Sequence, residues 1–306
     1  MLCGTQKTVT AIRKGRLLSG SIDIIIPTFA RKGSVTPLIN SIRKILTPSD
    51  NVYIVWQGGE KPDEAVDGNV HFIRSSPPNL PKARNRGIAE GKGDIILFLD
   101  DDVELLCENF LEIHRRAYTS PGIGAVAGYI DDPLFVNQGA SCSVYDETTG
   151  EIIQNFSVSS SQDAISFMGA HMSIRREAIA GIGGFDERFK GNALWEDIDC
   201  AFRIRKAGWR ISYCSDAKVR HLREQKGGCR ASGRIVYTYN QFANTAYFAA
   251  RHAQKKYYRT WFVFWIYRLE YLSRRRFLWL RHDPLMVMAA MAGAWGGIVR
   301  CLIYKK

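Results

Sequence analysis

The sequence predicts an α/β fold with a mostly parallel sheet. From residue 21 onward, short β-branched runs alternate with helix-length segments that mix polar and apolar residues, as in strands joined by crossover helices. The 306 residues are 46% hydrophobic and 24% charged, so the chain can bury a substantial core. Beyond about residue 227 the alternation stops and the composition becomes aromatic and basic. We therefore expect a large α/β domain with a C-terminal helical, basic-aromatic extension.

Four strands and one helix are predicted in the first third of the chain. The strands cover residues 22–26, 52–56, 70–73 and 94–99. The helix lies between the last two strands, because Pro81 suits a first helical position and Gly91 is a typical stop. Its first turns carry Lys82, Arg84 and Arg86, where the helix dipole alone favours acids. This inversion indicates an anionic partner nearby.

The middle of the chain predicts further helices and a hairpin. The expected elements are a helix near 107–118, paired strands over 141–145 and 152–156, and a helix over 196–207. Thr149 and Gly150 would form the hairpin turn, and Gly208 would end the last helix. Together these elements predict an N-terminal extension of residues 1–20, a domain of 21–226 and a helical region of 227–306.

Charge and cysteine content narrow the class of protein. Residues 251–306 hold twelve Lys or Arg and two acids, so most of the net charge of +12 lies in the extension. The seven cysteines are scattered without C-x-x-C spacing, which argues against a zinc site or a disulfide framework and favours a reducing cytoplasm. The first twenty residues lack the apolar run of about 7–15 residues that a secretory signal needs. No export signal is expected.

Three adjacent carboxylates, Asp100, Asp101 and Asp102, follow a run that reads as a buried strand. In open α/β sheets, ligands bind at the carboxyl ends of the strands. Clustered like charges resist ionising together unless a cation offsets them, and Mg²⁺ held by carboxylates and substrate phosphates meets that need. The alternative is a solvated turn or a helix cap, where aspartate is common. The acids alone leave both interpretations open.

A second group of acids stands at the start of the helix predicted over 196–207. Glu196 and Asp197 follow Trp195 there, and a glycine-rich segment at 183–187 precedes them. The helix dipole keeps carboxylates at such a position ionised, which lets them act as bases. Ordinary N-terminal capping is the alternative.

The ordered set of motifs resembles the family 2 inverting glycosyltransferases of the GT-A fold, a Rossmann-like fold. In chain order the motifs are Ile25-Ile26-Pro27-Thr28, Ala83-Arg84-Asn85-x-Gly87-Ile88, Phe98-Leu99-Asp100-Asp101-Asp102, Gly183-Gly184-Phe185-Asp186-Glu187, Glu196-Asp197-x-Asp199 and His221. The resemblance covers about residues 21–222 and rests on the order of the motifs rather than on any one of them.

The resemblance implies a site for a metal and a nucleotide-sugar donor. Asp100 would lie near the nucleotide ribose or the metal, with Asp101 as a further donor-binding residue. Asp102 would ligate a Mg²⁺ or Mn²⁺ that bridges the donor diphosphate, and His221 would supply a further metal or diphosphate ligand. A strand-end histidine on its own is more often structural, so this role rests on the resemblance.

The resemblance also implies a nucleotide pocket. Pro27 and Thr28 would line it, and Arg84, Lys82 and Arg86 would face the diphosphate, although Lys82 and Arg86 could equally be solvated helix residues. Where such enzymes commonly place an aspartate after the second strand, this chain has Gln57, which could bond a pyrimidine edge. Because the usual aspartate is missing, the nucleotide could be of the UDP, dTDP or GDP type.

Asp197 would be the catalytic base of this family. Glu196 and Trp195 are further candidates because they adjoin it. His171 falls in a stretch that approaches donor and acceptor in the family, so it could contact the sugar. A satisfied, semi-buried histidine is the alternative.

The extension has two interpretations, and a spanning helix over 285–304 is a third if Arg300 is tolerated within it. Residues 257–281 interleave aromatics with arginines, and residues 285–299 form an apolar run of fifteen, short of the roughly 20 residues of a spanning helix. The preferred interpretation is monotopic attachment through residues 257–306 to anionic lipid at the cytoplasmic face, which would bring the site to a lipid-linked acceptor. The alternative is a helical subdomain or a homo-oligomer interface in a cytoplasmic protein.

The expected function is sugar transfer to a saccharide or lipid-linked saccharide in cell-surface polysaccharide or lipopolysaccharide synthesis. A non-catalytic nucleotide-sugar-binding homologue and a nucleotidyltransferase are the alternatives. No nucleic-acid-binding motif accompanies the basic residues, so no nucleic-acid partner is expected.

Overall fold

The computed structural model describes residues 20–29, 35–58, 68–118, 120–133, 139–224, 228, 233–253 and 284–304. The strands in these residues are β1 (Ile22–Thr28), β2 (Asn51–Trp56), β3 (Val70–Arg74), β4 (Ile95–Leu99), β5 (Val103–Leu105), β6 (Ile123–Asp131), β7 (Ser143–Tyr145), β8 (Ile152–Gln154), β9 (Gln162–Ala164), β10 (His171–Arg175) and β11 (Arg210–His221). The helices are α1 (Val35–Arg43), α2 (Leu80–Glu90), α3 (Phe110–Ala117), α4 (Arg176–Gly181), α5 (Glu196–Lys206), α6 (Arg234–His252) and α7 (Pro284–Ile303).

The elements predicted from the sequence are confirmed, with shifts of one to three residues at their ends. The first four predicted strands are β1 to β4, the three predicted helices are α2, α3 and α5, and the predicted hairpin is β7 with β8. Gly150 adopts a φ of 74° in the hairpin turn, a conformation that glycine accepts readily. Strand β5 has no signal in the sequence, because three residues are too few to show an alternating pattern.

A nine-stranded sheet forms the centre of the molecule. Its order is β3-β2-β1-β4-β10-β6-β11-β5, and β9 pairs with β11. Strands β3, β2, β1 and β4 are mutually parallel, and β6 is parallel to β11. Because β10 is antiparallel to both β4 and β6, these two strands share one direction. Strands β1 to β4, β6 and β11 therefore run one way and β5, β9 and β10 the other, as expected of a mostly parallel sheet.

The core lies on both faces of this sheet. Every residue of β1, β4 and β10 is buried, as expected for strands covered by helices on either side. Helix α2 packs directly on β1 at Gly87, where an added Cβ would lie 2.6 Å from the Ile25 side chain. This close approach brings the basic first turns of α2 to the carboxyl edge of the sheet.

Two C-terminal helices, α6 and α7, pack against each other. Gly293 and Gly297 lie one helical turn apart on α7, and a Cβ on either would collide with the backbone carbonyl oxygen of Tyr239 or Ala243 on α6. Small residues therefore bring the two helix backbones together. By length and mean hydropathy (1.7), α7 is apolar enough to cross a membrane, as are many helices buried in soluble proteins. The aromatic and basic residues 257–281 lie outside the described residues.

Candidate active site

The three adjacent aspartates lie where β4 ends, at the carboxyl edge of the parallel strands. Asp101 is buried and turns toward β1, where its carboxylate accepts a hydrogen bond from the Thr28 hydroxyl at 2.6 Å. Asp102 is also buried, and its Oδ2 accepts a bond from the backbone N–H of Glu224 at 3.1 Å. Asp100 remains partly open to solvent, with a side chain 32% exposed. One carboxylate is thus used for structure, while Asp100 and Asp102 face the candidate site.

Strand pairing places His221 beside these acids. Strand β5 follows Asp102 directly and pairs antiparallel with the end of β11, which brings His221 opposite Val103. The Nε2 atom of His221 lies 3.4 Å from Oδ1 of Asp102. One potential ligand atom from each of Asp100, Asp102 and His221 falls within 4.8 Å of the other two. We call these three residues the strand-end cluster.

The charges of the strand-end cluster shift the protonation of His221. Burial lowers the pKa of His221, but the hydrogen bond to Asp102 and the charges of Asp100 and Asp102 outweigh it, and the net pKa is raised. A cation at Nε2, whether a proton or a metal ion, is therefore favoured here. Carboxylate oxygens suit Mg²⁺ and Mn²⁺, and an imidazole nitrogen is a ligand of transition-metal ions, so the donor set fits a divalent ion and suits Mn²⁺ better than Mg²⁺.

Asp197 lies in the first turn of α5 and is held by the backbone. Its Oδ2 accepts a bond from the N–H of Gly169 at 2.9 Å, and its Oδ1 accepts one from the N–H of Ile198 at 2.8 Å. Among the described residues, none forms an ion pair with this carboxylate. Burial raises the pKa of Asp197, although the charge of Arg84 and the backbone bonds oppose the rise. The carboxylate is therefore a stronger proton acceptor than an ordinary aspartate.

Arg84 connects the strand-end cluster to α5. Its guanidinium is buried, forms an ion pair with Glu196 and donates to the carbonyl of Gly169 at 3.1 Å. Its Nη2 also lies 3.7 Å from Oδ1 of Asp100. A Cβ at residue 169 would collide with the guanidinium, so glycine is required at that contact. One cation and one glycine turn thus join the two acid groups into a single site.

The glycine-rich segment before α5 is fastened to α2 by Asn85. The Asn85 side chain accepts from the N–H of Phe185 at 2.8 Å and donates to the carbonyl of Phe185 at 2.9 Å. Gly184 adopts a φ of 79°, and a Cβ there would lie 2.6 Å from the Asn85 amide oxygen. The segment therefore needs glycine for both its backbone and its packing.

Helix α6 holds the residues on either side of Asp197. Trp195 donates from Nε1 to the Thr245 hydroxyl at 2.8 Å and stacks on Phe248. Asp199 is fully buried and pairs with Arg251 at 3.1 Å and with His252 at 2.8 Å. Burial raises the pKa of Asp199, but the bonds and charges of these partners and of Arg203 outweigh it, so the pKa is lowered. Helix α6 therefore holds the start of α5 at Trp195, before Asp197, and at Asp199, after it.

The other residues predicted to contact the donor lie at the same edge of the sheet. Pro27 and Thr28 end β1, and both are buried. The Gln57 side chain is also buried, and its Oε1 accepts a bond from the backbone N–H of Asn79, the N-cap residue of α2. Lys82 donates to the carbonyl of Ser76 at 2.9 Å. Gln57 and Lys82 thus shape the loop that leads into α2.

His171 lies away from the strand-end cluster, inside the core. It is fully buried, and its Nε2 lies 2.9 Å from Nε2 of His114, which in turn contacts Ser173. Its Nδ1 lies 3.1 Å from the carbonyl oxygen of Tyr129. Burial lowers the pKa of His171 to about 4. Of the two alternatives, the structure favours a satisfied buried histidine over a sugar contact.

Several residues of the site carry no signal in the sequence. Asp132 contacts His221, Gly169 contacts both Arg84 and Asp197, and Thr245 supports Trp195. None belongs to a motif or a periodic pattern, and each acts across a long separation in sequence. In the sequence, only the run of aspartates at 100–102 indicates that cationic or polar partners must come from other parts of the chain.

Several known proteins resemble this chain. A family model described as glycosyltransferase like family 2 matches residues 20–238. Among curated proteins, the O-antigen biosynthesis protein RfbC of Myxococcus xanthus is 24% identical over 219 residues, with coverage of 65% of this chain and 17% of that protein. The O-antigen chain rhamnosyltransferase WbaN of Salmonella anatum is 27% identical, with coverage of 50% and 49%. The chain thus spans less than half of these two relatives.

Solved structures share the fold. The mannosyltransferase PcManGT from Pyrobaculum calidifontis, in complex with GDP-Man and Mn²⁺, aligns with a TM-score of 0.53, 13% identity and coverage of 93% of this chain and 87% of that one. GalNAc-T7 with UDP, GalNAc and Mn²⁺ aligns with a TM-score of 0.57, 16% identity and coverage of 76% and 50%. The resemblance to the GT-A fold expected from the sequence is confirmed.

Proposed function

This chain belongs to glycosyltransferase-like family 2, and on that premise we propose that it is an inverting, metal-dependent glycosyltransferase. It would move a sugar from a nucleotide-sugar donor of the UDP, dTDP or GDP type to a hydroxyl of a saccharide or lipid-linked saccharide. The observation that carries the proposal is the link through Arg84 between the strand-end cluster and Asp197. The proposed site of the charged leaving group and the proposed base would thereby be adjacent.

The strand-end cluster is the proposed binding site of the donor diphosphate. Asp100, Asp102 and His221 would hold a Mg²⁺ or Mn²⁺ between them. When bound, this ion stabilises the negative charge that builds up on the departing diphosphate. Arg84 is buried against Glu196 and Gly169, so its role would be to fix the position of Asp100 and the 168–170 turn rather than to move with substrate.

Asp197 is the proposed base. Its carboxylate takes the proton of the acceptor hydroxyl as that oxygen bonds to the anomeric carbon, and the bond from that carbon to the diphosphate breaks on the opposite face. The anomeric carbon passes through an oxocarbenium-like state, and the single displacement inverts its configuration. The products are the glycosylated acceptor and a nucleoside diphosphate. The raised pKa of Asp197 favours this proton transfer.

The names of relatives support a role in cell-surface polysaccharide synthesis. Besides the two O-antigen proteins, a Campylobacter jejuni GalNAc(5)-diNAcBac-PP-undecaprenol beta-1,3-glucosyltransferase is 27% identical over 203 residues, 61% of this chain and 62% of that protein. Its name describes a lipid-linked acceptor. An acceptor of that class would place this chain at the cytoplasmic face of a membrane.

The outward face of α7 supports peripheral attachment to that membrane. Met288, Met291, Trp295 and Leu302 recur at spacings of three, four and seven residues, and each is 65–69% exposed. The opposite, glycine-bearing face packs on α6, so these side chains form one apolar surface. Such a helix can lie in the lipid interface while nearby lysines and arginines meet anionic headgroups.

The donor site is tested by calorimetric titration of the purified protein with UDP, dTDP and GDP, each with Mn²⁺ and with EDTA. We expect one nucleotide to bind only with Mn²⁺ and Asp102→Ala to lose that binding. Absence of binding by all three to the folded protein would contradict the donor site. In turnover assays a glycosyltransferase releases a nucleoside diphosphate, whereas a nucleotidyltransferase would release diphosphate from a triphosphate.

Attachment is tested by flotation of the protein with vesicles of anionic or neutral lipid. Replacing Met291 and Trp295 by glutamine removes two apolar anchors and should weaken binding to anionic vesicles at least about tenfold. Leu106→Gln, at an exposed apolar residue outside α7, is the control and should bind normally. Equal binding by all forms would contradict lipid attachment. A concentration-dependent dimer that the double variant dissociates would indicate a homo-oligomer instead.

A further inference from the structure

His221 has a second polar neighbour on the side that faces away from the strand-end cluster. Its Nδ1 lies 3.1 Å from Oδ2 of Asp132, a side chain with no exposed surface. We infer that Asp132, held in turn by Arg223, is the positioning residue that aims His221 at the metal. The inference rests on the proposed function, since it assigns a supporting role at the proposed metal site.

Arg223 holds Asp132 through both carboxylate oxygens. Its Nε lies 2.8 Å from Oδ1 and 2.7 Å from Oδ2, and its Nη2 lies 2.7 Å from Oδ2. Asp132 follows the last residue of β6, so this contact joins two adjacent strand ends, β6 and β11. A carboxylate gripped in this way has little freedom to rotate, and it presents a fixed acceptor to His221.

The chain turns sharply after His221 to make this contact. Arg223 adopts a φ of 52°, in the left-handed region that non-glycine residues rarely occupy. Leu222 donates its N–H to the carbonyl of Asp102 at 2.9 Å, and Glu224 donates its N–H to the Asp102 carboxylate. The turn thus encloses Asp102 with backbone donors while its arginine side chain reaches Asp132. A strained backbone that serves both residues indicates that their joint position matters.

Hydrogen-bond chemistry then fixes which nitrogen of His221 faces the metal site. An ionised carboxylate only accepts hydrogen bonds, so Nδ1 must carry the hydrogen shared with Asp132. In the neutral imidazole the other nitrogen, Nε2, then carries the lone pair, and it lies 3.4 Å from Oδ1 of Asp102. Two acceptors this close repel each other unless a cation lies between them. A carboxylate behind a histidine is the arrangement that orients many metal-ligating imidazoles.

The chain supplies a matched control in the preceding residue. Asp131 is the last residue of β6. Like Asp132 it pairs with an arginine, since its Oδ2 lies 3.0 Å from Nε of Arg220. This pair is about half exposed, and no contact joins it to His221 among the described residues. Asp131→Asn therefore makes the same chemical change one residue away from Asp132.

The test is a titration of the full-length protein with Mn²⁺, in which electron paramagnetic resonance measures the free ion. It is run with Mn²⁺ alone and with Mn²⁺ plus UDP or GDP. We expect Asp132→Asn to weaken Mn²⁺ binding about 10- to 100-fold, as loss of a supporting carboxylate does at other metal sites. His221→Ala should weaken it at least as much, and Asp131→Asn should match the wild type. Equal affinities for Asp132→Asn and Asp131→Asn would overturn the inference.

A second measurement remains informative if Asp132→Asn does not fold. The imidazole ¹⁵N shifts of the wild-type protein with Mg²⁺ should show hydrogen on Nδ1 of His221 and none on Nε2, and hydrogen on Nε2 would overturn the inference. Failure of the wild type to bind Mn²⁺, with or without nucleotide, would contradict the proposed metal site itself. Wild-type binding that Asp132→Asn leaves unchanged would contradict only the role of Asp132.

Discussion

The acids of the strand-end cluster and the acids at the start of α5 are balanced by very different partners. Asp100 and Asp102 lie beside His221, and Arg84 approaches Asp100 to 3.7 Å. At the start of α5, in contrast, Glu196 is paired with the same arginine in a buried contact.

The start of α5 is neutralised on both sides of Asp197. Glu196 precedes it with an arginine partner, and the fully buried Asp199 follows it with three basic partners. Among the described residues, Asp197 itself accepts hydrogen bonds from backbone N–H groups and forms no ion pair. The strand end thus presents two carboxylates beside an imidazole, a donor set that suits a metal ion, whereas α5 presents a buried carboxylate held by backbone N–H groups, which suits a proton. Residues with the same side chain acquire different chemistry from their neighbours.

The largest expected effect tests whether Asp197 is the proton acceptor. Asp197→Asn should lower kcat about 10²- to 10⁴-fold, because an amide cannot accept the proton. Binding of the nucleoside diphosphate with Mn²⁺ should remain within about twofold, since the strand-end cluster is intact. Calorimetry and steady-state kinetics measure the two quantities. A variant with normal turnover would remove the distinction between the two groups of acids.

The next effect concerns the ion pair of Arg84 with Glu196, which links the two groups of acids. Glu196→Gln removes the buried carboxylate charge that is paired with Arg84 and should lower the free energy of unfolding by about 3 kcal/mol. Glu90→Gln, at a surface pair with Arg86 on the same helix as Arg84, is the control and should cost less than about 1 kcal/mol. Urea unfolding measures both. Equal losses would show that the buried pair contributes no more than a surface pair.

Loss of activity at low pH must be distinguished from unfolding at low pH, because protonation of the buried pair His114 and His171 also affects stability there. The pKa of His171 is lowered to about 4 and that of His114 is lowered too, both through burial. An unfolded histidine takes up a proton below about pH 6.5, so the stabilisation is present above that pH and lost as pH falls toward 4.

For His171 the expected loss of stability between pH 7 and 4 is on the order of 3 kcal/mol. Urea unfolding at each pH measures it, and His171→Gln should flatten the dependence. If stability did not change over this range, the pair would not be neutral in the folded protein. Kinetics at low pH then report on Asp197 only where the protein is still folded.

The smallest expected effect tests the support that α6 gives to α5. Thr245→Val removes the acceptor of the Trp195 Nε1 hydrogen bond with little change of shape and should cost about 1 kcal/mol of stability. If that bond also positions Asp197, kcat should fall while KM for the donor stays the same. Thermal unfolding and kinetics measure the two effects. An unchanged kcat would limit the α6 contact to stability.

The strand-end acids were predictable because a buried strand and its end are encoded in consecutive residues. The basic first turns of α2 likewise predicted an anionic partner, and for Arg84 the structure supplies one inside the protein, Glu196. That partner lies 112 residues further along the chain and belongs to no periodic pattern. The local sequence thus indicated that the basic residues of α2 needed an anionic partner. Only the tertiary structure shows that Glu196 is the partner of Arg84.

His221 shows the same limit. Its place among the site residues came from the resemblance alone, because a single histidine at a strand end carries no signal of its own. The structure brings it to Asp102 through β5, an element too short to be predicted. Gln57 and Lys82 show the opposite case. Both are polar residues at the expected edge of the sheet, but their side chains bind the loop before α2.

The contacts between Asp199 and the end of α6 also bear on how the chain matures during synthesis. Asp199 is fully buried, and its partner His252 lies 53 residues later in the sequence. At about 5–20 residues per second, the ribosome needs roughly 3 to 10 s to add those residues. Once β11 has been made, a nascent chain contains every strand of the nine-stranded sheet but still lacks Arg251 and His252, two of the basic partners of Asp199. Final packing of α5 is therefore expected to be among the last steps in the folding of this protein.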